Sequence, residues 1–194
     1  RAGADKVSIN TAAHEDPSLI TKACKIYGKS TIVVSIEAIK QPNGSYMAFT
    51  DNGRNRTGKE AVSWAKEVEE LGAGEILLTS VDHEGTGHGM DDDLIRKVCN
   101  SVTIPIVAHG GIGSPKHVLD VASQLPVSGI AIASMFHYYT ITISKNLDRF
   151  EEEGNIEFLK SNRIISSIEI STIKEIKKLL KNNNIQIRQY EKNN

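Results

Sequence analysis

The strongest constraint on the fold is an alternation. Five apolar, largely β-branched runs recur along the chain, at 7–10, 31–36, 75–81, 104–108 and 129–133, with a helical pattern in each gap between them. The run at 31–36 is nearly continuous in apolar residues, as in a strand buried on both faces. In the first gap Asp16-Pro17-Ser18 opens a helix, with an acidic cap and proline at the first helical position. Its apolar side is Leu19, Ile20, Ala23, Cys24 and Tyr27, and Gly28 stops it. A second helix spans 60–71, with Val62, Ala65, Val68 and Leu71 on one face, and Gly72 closes it. A third spans 91–98, with acidic residues in its first turn where the helix dipole favours them. Ser114-Pro115 starts a fourth, through about Leu125. Strand, helix, strand in repetition predicts an α/β fold with a parallel sheet and helical crossovers. One excursion interrupts it. Pro42-Asn43-Gly44 and Asp51-Asn52-Gly53 flank a short run at 46–50, which predicts a hairpin standing on a loop.

The 194 residues, 39% of them hydrophobic, suffice for one domain with an appendage. The 23 Lys and Arg nearly cancel the 24 Asp and Glu, so the total charge offers no footprint for nucleic acid or an anionic membrane surface. No apolar run approaches the roughly 20 residues that span a bilayer. Cys24 and Cys99 stand far apart and form no metal-spaced or redox motif, as expected in a reducing cytoplasm. The chain opens on Arg1, no leader is visible, and residues 1–5 read as the end of a helix begun upstream. After Tyr139 the composition turns polar and charged. The expected organisation is therefore 1–140 as strand–helix units, 141–170 as an insertion with a helix around 156–162, and 171–194 as a last helix and tail. In that last part Ser171 would cap a helix over 172–181, and 185–188 would form a strand.

In such units the site lies at the C-terminal ends of the strands. The polar residues there are Asn10 and Thr11, Glu37, Thr79 with Asp82 and Glu84, His109 with Gly110 and Gly111, and Ser134. Any one of them could be only a helix cap or loop residue, but all five strands contribute. The turn Gly110-Gly111-Ile112-Gly113, between a strand and a helix, can cradle a phosphate with backbone amides. The histidine- and acid-bearing segment 82–88 fits no specific zinc spacing. Its glycines suit a mobile lid that binds substrate, with no metal. His14, His117 and His137 read as surface or supporting residues, and Trp64 as packing.

Residues 3–13, the segment Gly72-Ala-Gly-Glu-Ile-Leu-Leu-Thr-Ser-Val-Asp82, then Gly85-Thr86, His109-Gly-Gly111 and Ala133-Ser134-Met-Phe-His137 resemble the cyclase subunit of imidazole glycerol phosphate synthase. The resemblance runs to about Tyr138 and resumes over 171–188. It implies a (βα)8 TIM barrel of which this chain supplies strands four to eight. The first three units, with one catalytic aspartate and one phosphate site, would lie outside it, and the fragment alone would be inactive. The implied reaction takes ammonia from a glutaminase subunit, paired with the cyclase as a heterodimer. Ammonia condenses with the phosphorylated carboxamide ribotide PRFAR to give imidazole glycerol phosphate and AICAR, in histidine biosynthesis, with no cofactor or metal. Carried onto this sequence, Glu37 takes the position of the second catalytic aspartate. Asn10, Thr11, Thr79, Asp82, Glu84, Gly85, Thr86, Gly110, Gly111, Gly113 and Ser134 bind substrate and phosphate. Lys6 and Glu75, at the opposite ends of their strands, match a charged gate for ammonia, and Asp5 matches the glutaminase-docking edge.

Three departures cluster in the site: Glu37 for an aspartate, Asp82-His83-Glu84 for Asp-x-Asp, and His109 for a small polar residue. They leave open a paralogue that delivers ammonia to a sugar amidotransferase in surface polysaccharide synthesis. A purely structural partner of a glutaminase is the remaining reading.

Overall fold

A computed structural model describes residues 3–143 and 167–188. In chain order the elements are β1 (Val7–Ile9), α1 (Thr11–Glu15), α2 (Ser18–Tyr27), a 3-10 turn (Lys29–Thr31), β2 (Ile32–Lys40), β3 (Tyr46–Thr50) and β4 (Asn55–Glu60). There follow α3 (Ala61–Glu70), β5 (Glu75–Ser80), α4 (Asp92–Cys99), β6 (Ile106–His109), α5 (Pro115–Gln124), β7 (Gly129–Ala131), α6 (Ser134–Ile143) and α7 (Ile173–Asn182).

The five expected strands are β1, β2, β5, β6 and β7. They pair in that order and all in parallel. The hairpin β3–β4 adds two antiparallel strands, giving seven in one sheet. β1 occupies the first half of one edge of β2, opposite Ile32 to Val34, and β3 occupies the second half, opposite Glu37 to Lys40. This explains why β2 runs on to Lys40, beyond the apolar run that ends at Ile36. Among the described residues β1 and β7 each pair on one side only, and the ladder does not close.

In parallel register, paired residues share a face of the sheet. One face carries the rows Ile9–Val34–Ile76–Ile106 and Ile36–Leu78–Ala108–Ile130. Val34, Ile36, Ile76 and Ala108 are fully buried, in one core with Ile20, Trp64, Val68, Leu94, Val98 and Val118 from the helices. The other face carries Ser8–Val33–Glu75, then Ser35–Leu77–Val107–Gly129, then Glu37–Thr79–His109–Ala131. Val33 is buried there but stands outside the helix-backed core. A sheet with its helices on one face and polar rows on the other is a barrel wall, not a doubly wound sheet.

The caps follow the sequence in most places. Asp91 and Ser114 accept the N–H of Leu94 and His117 at the starts of α4 and α5. Glu60 does the same for Ser63 at α3. Asp16 accepts the N–H of Ser18, but Pro17 and not Asp16 occupies the cap position of α2. At α7 the cap is Thr172, which forms a reciprocal capping box with Glu175, and not Ser171, whose hydroxyl donates to the same carboxylate. The expected tail strand at 185–188 is not a strand. Its burial alternates with period two, and Ile185 and Ile187 pack on the core, but among the described residues no ladder partner pairs with it. Helix α1, immediately after β1, was not expected. Of the insertion 141–170, residues 144–166 lie outside the described residues, including the helix expected around 156–162.

Candidate functional site

The open face has two chemically different ends. At the C-terminal end one ladder row sets Glu37, Thr79 and His109 side by side on β2, β5 and β6. Thr79 Oγ1 lies 3.2 Å from His109 Nδ1. Glu37 accepts the N–H of Gly53 at 2.7 Å, so the hairpin's far turn folds back over β2 to hold the carboxylate. Asp51, Asn52 and Gly53 all take positive φ to make that turn.

The loops above this row form a second group. Gly110 and Gly111 have φ of +99° and +103°, in the left-handed region that favours glycine. A Cβ on Gly111 would collide with the carbonyl oxygen of Gly89, and one on Gly110 would sit 2.6 Å from the Ser80 oxygen. Gly111 lets the 82–89 loop lie flat on the turn after β6, where Gly89 N–H donates to Gly111 O at 2.8 Å, and Gly110 lets the same turn approach the end of β5. A cavity of about 200 Å³ results, with Glu84, Gly85, His109, Gly110, Gly111 and Ser134 in its wall. Ser134 is the first residue of α6, so a helix N-terminus meets the cavity. Gly111 and Ser134 thus line the same cavity.

Other expected residues lie elsewhere. Gly113 is not in that wall; its N–H donates to His117 Nδ1 at 3.2 Å, and its carbonyl accepts from Glu169 at 2.6 Å. Asp82 accepts Lys40 N–H at 2.8 Å and fastens the loop to the end of β2. The Thr86 hydroxyl donates to the His83 carbonyl at 2.7 Å, within its own loop. Asn10 Nδ2 reaches Phe49 O at 3.4 Å, and its Oδ1 is buried without a partner. Thr11 lines a separate cavity of about 250 Å³ with Thr50, Thr57 and Lys59. A larger apolar groove of about 480 Å³ between α5, β7 and α7 belongs to the helical side and holds none of the expected site residues.

The N-terminal end of the same face carries Lys6 and Glu75, whose side chains meet at 2.6 Å. The four residue steps along β5 from Glu75 to Thr79 place the two ends roughly 13 Å apart. Asp5 is exposed beside Lys6.

Three features were not anticipated. Tyr46, fully buried on β3, has its hydroxyl 2.9 Å from both carboxylate oxygens of Asp91, and His83 Nε2 is 3.9 Å from the same carboxylate. Burial, then the Asp91 hydrogen bond, pushes the Tyr46 pKa well above the usual phenol range. His83 Nδ1 is 2.8 Å from Gly89 O, so this side chain bridges the loop from within. Secondly, residue 167 returns across the mouth, where the Ser167 hydroxyl donates to Thr86 O at 2.6 Å. Thirdly, His14 stacks on Trp64 with ring centroids 4.4 Å apart, and Lys59 Nζ sits 3.9 Å from the other ring's centre. A tyrosine within a predicted hairpin, an acidic cap and a histidine between them are each visible in sequence, but nothing local pairs residues this far apart.

Among the described residues no three His, Cys, Asp or Glu side chains are grouped to hold a metal ion, and no helix is long and apolar enough to cross a membrane. Residues 1–142 match the family described as histidine biosynthesis protein. The chain is 43% identical over 171 residues to imidazole glycerol phosphate synthase subunit HisF of Methanopyrus kandleri, covering 79% of this chain and 63% of that one. It is 46% identical over 158 residues to the same subunit of Pyrobaculum aerophilum (81% and 61%). With that of Sulfurisphaera tokodaii the identity is 49% over 156 residues (80% and 61%). The matches therefore span about three fifths of the length of these relatives.

Proposed function

The chain belongs to the histidine biosynthesis protein family, and on that premise we propose that it works as the cyclase subunit of imidazole glycerol phosphate synthase. The family's fold is the (βα)8 barrel, and the five parallel strands with helices on one face are five of its units. The observation that carries the functional reading is the row Glu37–Thr79–His109 at the C-terminal end of the open face, beside the glycine-walled cavity.

Ring closure with ammonia asks two things of a protein. A proton must leave the nitrogen that adds to a carbonyl, and another must reach the nitrogen that departs as a C–N bond breaks. A carboxylate at the mouth, Glu37, serves as the proton acceptor, and Gly53 N–H fixes one of its oxygens. The substrate ends in phosphates, and Gly110, Gly111 and Ser134 hold one of them with backbone amides, a hydroxyl and a helix N-terminus. Glu84 and Gly85 close the cavity over it, while Asp82, Thr86 and Gly113 hold the loops in shape. The resemblance also assigns Asn10 and Thr11 to substrate, at the end of β1 and outside that cavity.

Ammonia reaches the row from the far end of the same face, past the Lys6–Glu75 pair, from a glutaminase subunit that docks against the edge bearing Asp5. The reaction is ammonia-dependent and needs no cofactor, and its compartment is the cytoplasm. The test supplies PRFAR and ammonium to a complete eight-unit barrel that carries this chain, and assays both products. Imidazole glycerol phosphate and AICAR in equal amounts are expected; a folded protein that leaves PRFAR untouched refutes the reading.

A further inference from the structure

The cavity proposed to take a phosphate holds no Lys or Arg in its wall. Its charged or ionisable side chains are Glu84, an exposed carboxylate, and His109. Dianion sites usually gain from a cation as well as from backbone amides. We infer that His109 is the cation of this site, and that an oxyanion binds there together with a proton on the imidazole. The inference rests on the phosphate reading of the cavity and adds the residue that makes binding pH-dependent.

The geometry around the ring supports a change of protonation in place. Among the described residues, Thr79 is the one hydrogen-bond partner of the His109 side chain, at Nδ1. A hydroxyl can donate to a neutral Nδ1 and accept from a protonated one. The contact therefore survives either state, and Thr79 holds the ring still while its charge changes. His83 contrasts with it: its Nδ1 faces a backbone carbonyl, which only accepts, so that ring is fixed as an Nδ1–H donor. His109 Nε2 is not among the buried unpartnered atoms, and His109 is one of the residues that line the cavity.

The surroundings of His109 are nearly free of competing charge. β7 places Ala131 beside it, and β5 places Thr79, with Glu37 one strand further along the row. From the loop above come Glu84, in the cavity wall, and His83, whose Cβ packs near Gly111. α6 contributes Ser134 and no charge to the wall. Glu84, in the same wall, repels the anion, and its exposure weakens that repulsion by solvent screening. Once an anion enters, the favourable partner of Nε2–H is that anion, and by linkage its binding raises the proton affinity of His109.

The test is calorimetric titration of the full chain with inorganic sulfate, a tetrahedral dianion that stays fully charged across the range where imidazole titrates. Two buffers of different ionisation heat report proton uptake. The expected result is uptake of a proton on binding and affinity that falls by about tenfold per pH unit once the imidazole is neutral. His109→Ser should bind with no uptake and a flat profile, and Glu84→Gln should bind more tightly than the parent. Sulfate binding by the parent without proton uptake, with the same profile in His109→Ser, overturns the role of His109 and leaves the phosphate cavity standing. No binding of sulfate or inorganic phosphate at either end of the pH range overturns the cavity reading itself. A measurement without substitutions stands beside these: the imidazole nitrogen resonances of His109 should move to the protonated pattern as sulfate is added, and resonances that stay put contradict the inference.

Discussion

Lys6 Nζ lies 2.6 Å from Glu75 Oε2, joining two strands that are 69 residues apart in sequence. The lysine side chain is 49% exposed and the glutamate 17%, so the pair sits at a rim with its acid turned inward. A charge-assisted hydrogen bond of this kind holds its geometry yet opens by side-chain rotation, since one partner is half in water. Its place is the end of the open face opposite Glu37.

In the complex with a glutaminase subunit, Lys6→Ala is expected to lower glutamine-dependent turnover by tenfold or more, on the order of the coupling a gating contact carries. Turnover with free ammonium should stay within about twofold. Parallel kinetics with the two nitrogen sources check this, and equal loss of both would make Lys6 a support of the fold or of the chemistry.

His14 makes stability depend on pH. Its ring nitrogens are buried without hydrogen-bond partners, and burial, with Lys59 as a second cause, lowers its pKa from 6.5 to about 4. The unfolded chain takes up a proton at the ordinary value, while the folded chain resists until about pH 4. The stability tied to neutral His14 is therefore complete above the unfolded pKa and lost as pH falls through the folded one. His14→Phe keeps a ring against Trp64 and removes two unpaired nitrogens. Denaturant melts should show it at least as stable as the parent at neutral pH, with its advantage growing toward pH 4. A constant difference would show that His14 does not titrate in this way.

The Tyr46–Asp91 contact should be worth more than a surface pair, because it is buried and one partner is a carboxylate. Tyr46→Phe is expected to cost about 1.5–3 kcal/mol. Asp91→Ala should cost more, since it also removes the cap on Leu94 N–H and leaves the tyrosine hydroxyl with its 3.1 Å contact to Asp93 alone. Chemical denaturation of both variants measures this; a Tyr46→Phe protein as stable as the parent would mean the hydroxyl is equally well served by water.

The strands and most caps were legible because their signals are local. An apolar run names a strand, Ser114-Pro115 names a helix start, and the turns around 46–50 name a hairpin. What escaped depends on neighbours that sequence spacing does not supply. β2 reaches Lys40 only because β3 lies along it. The segment 185–188 alternates like a strand but has no partner to pair with. Gly110 and Gly111 were legible as a tight glycine turn between strand and helix, whereas Gly113 gives its N–H to His117 in the next helical turn. His109 was visible only as an unusual residue before two glycines; its row with Glu37 and its bond to Thr79 required the register of three strands.

If Glu37 moves a proton in ring closure, ammonium-dependent turnover of PRFAR by Glu37→Gln, beside the parent and in a complete barrel, tests it most directly. The amide preserves the size of the side chain but, unlike the carboxylate, cannot take up a proton near neutral pH. The expected result is that kcat falls by about 100-fold or more while KM for PRFAR changes little. Unchanged kcat would contradict it and remove Glu37 from the mechanism.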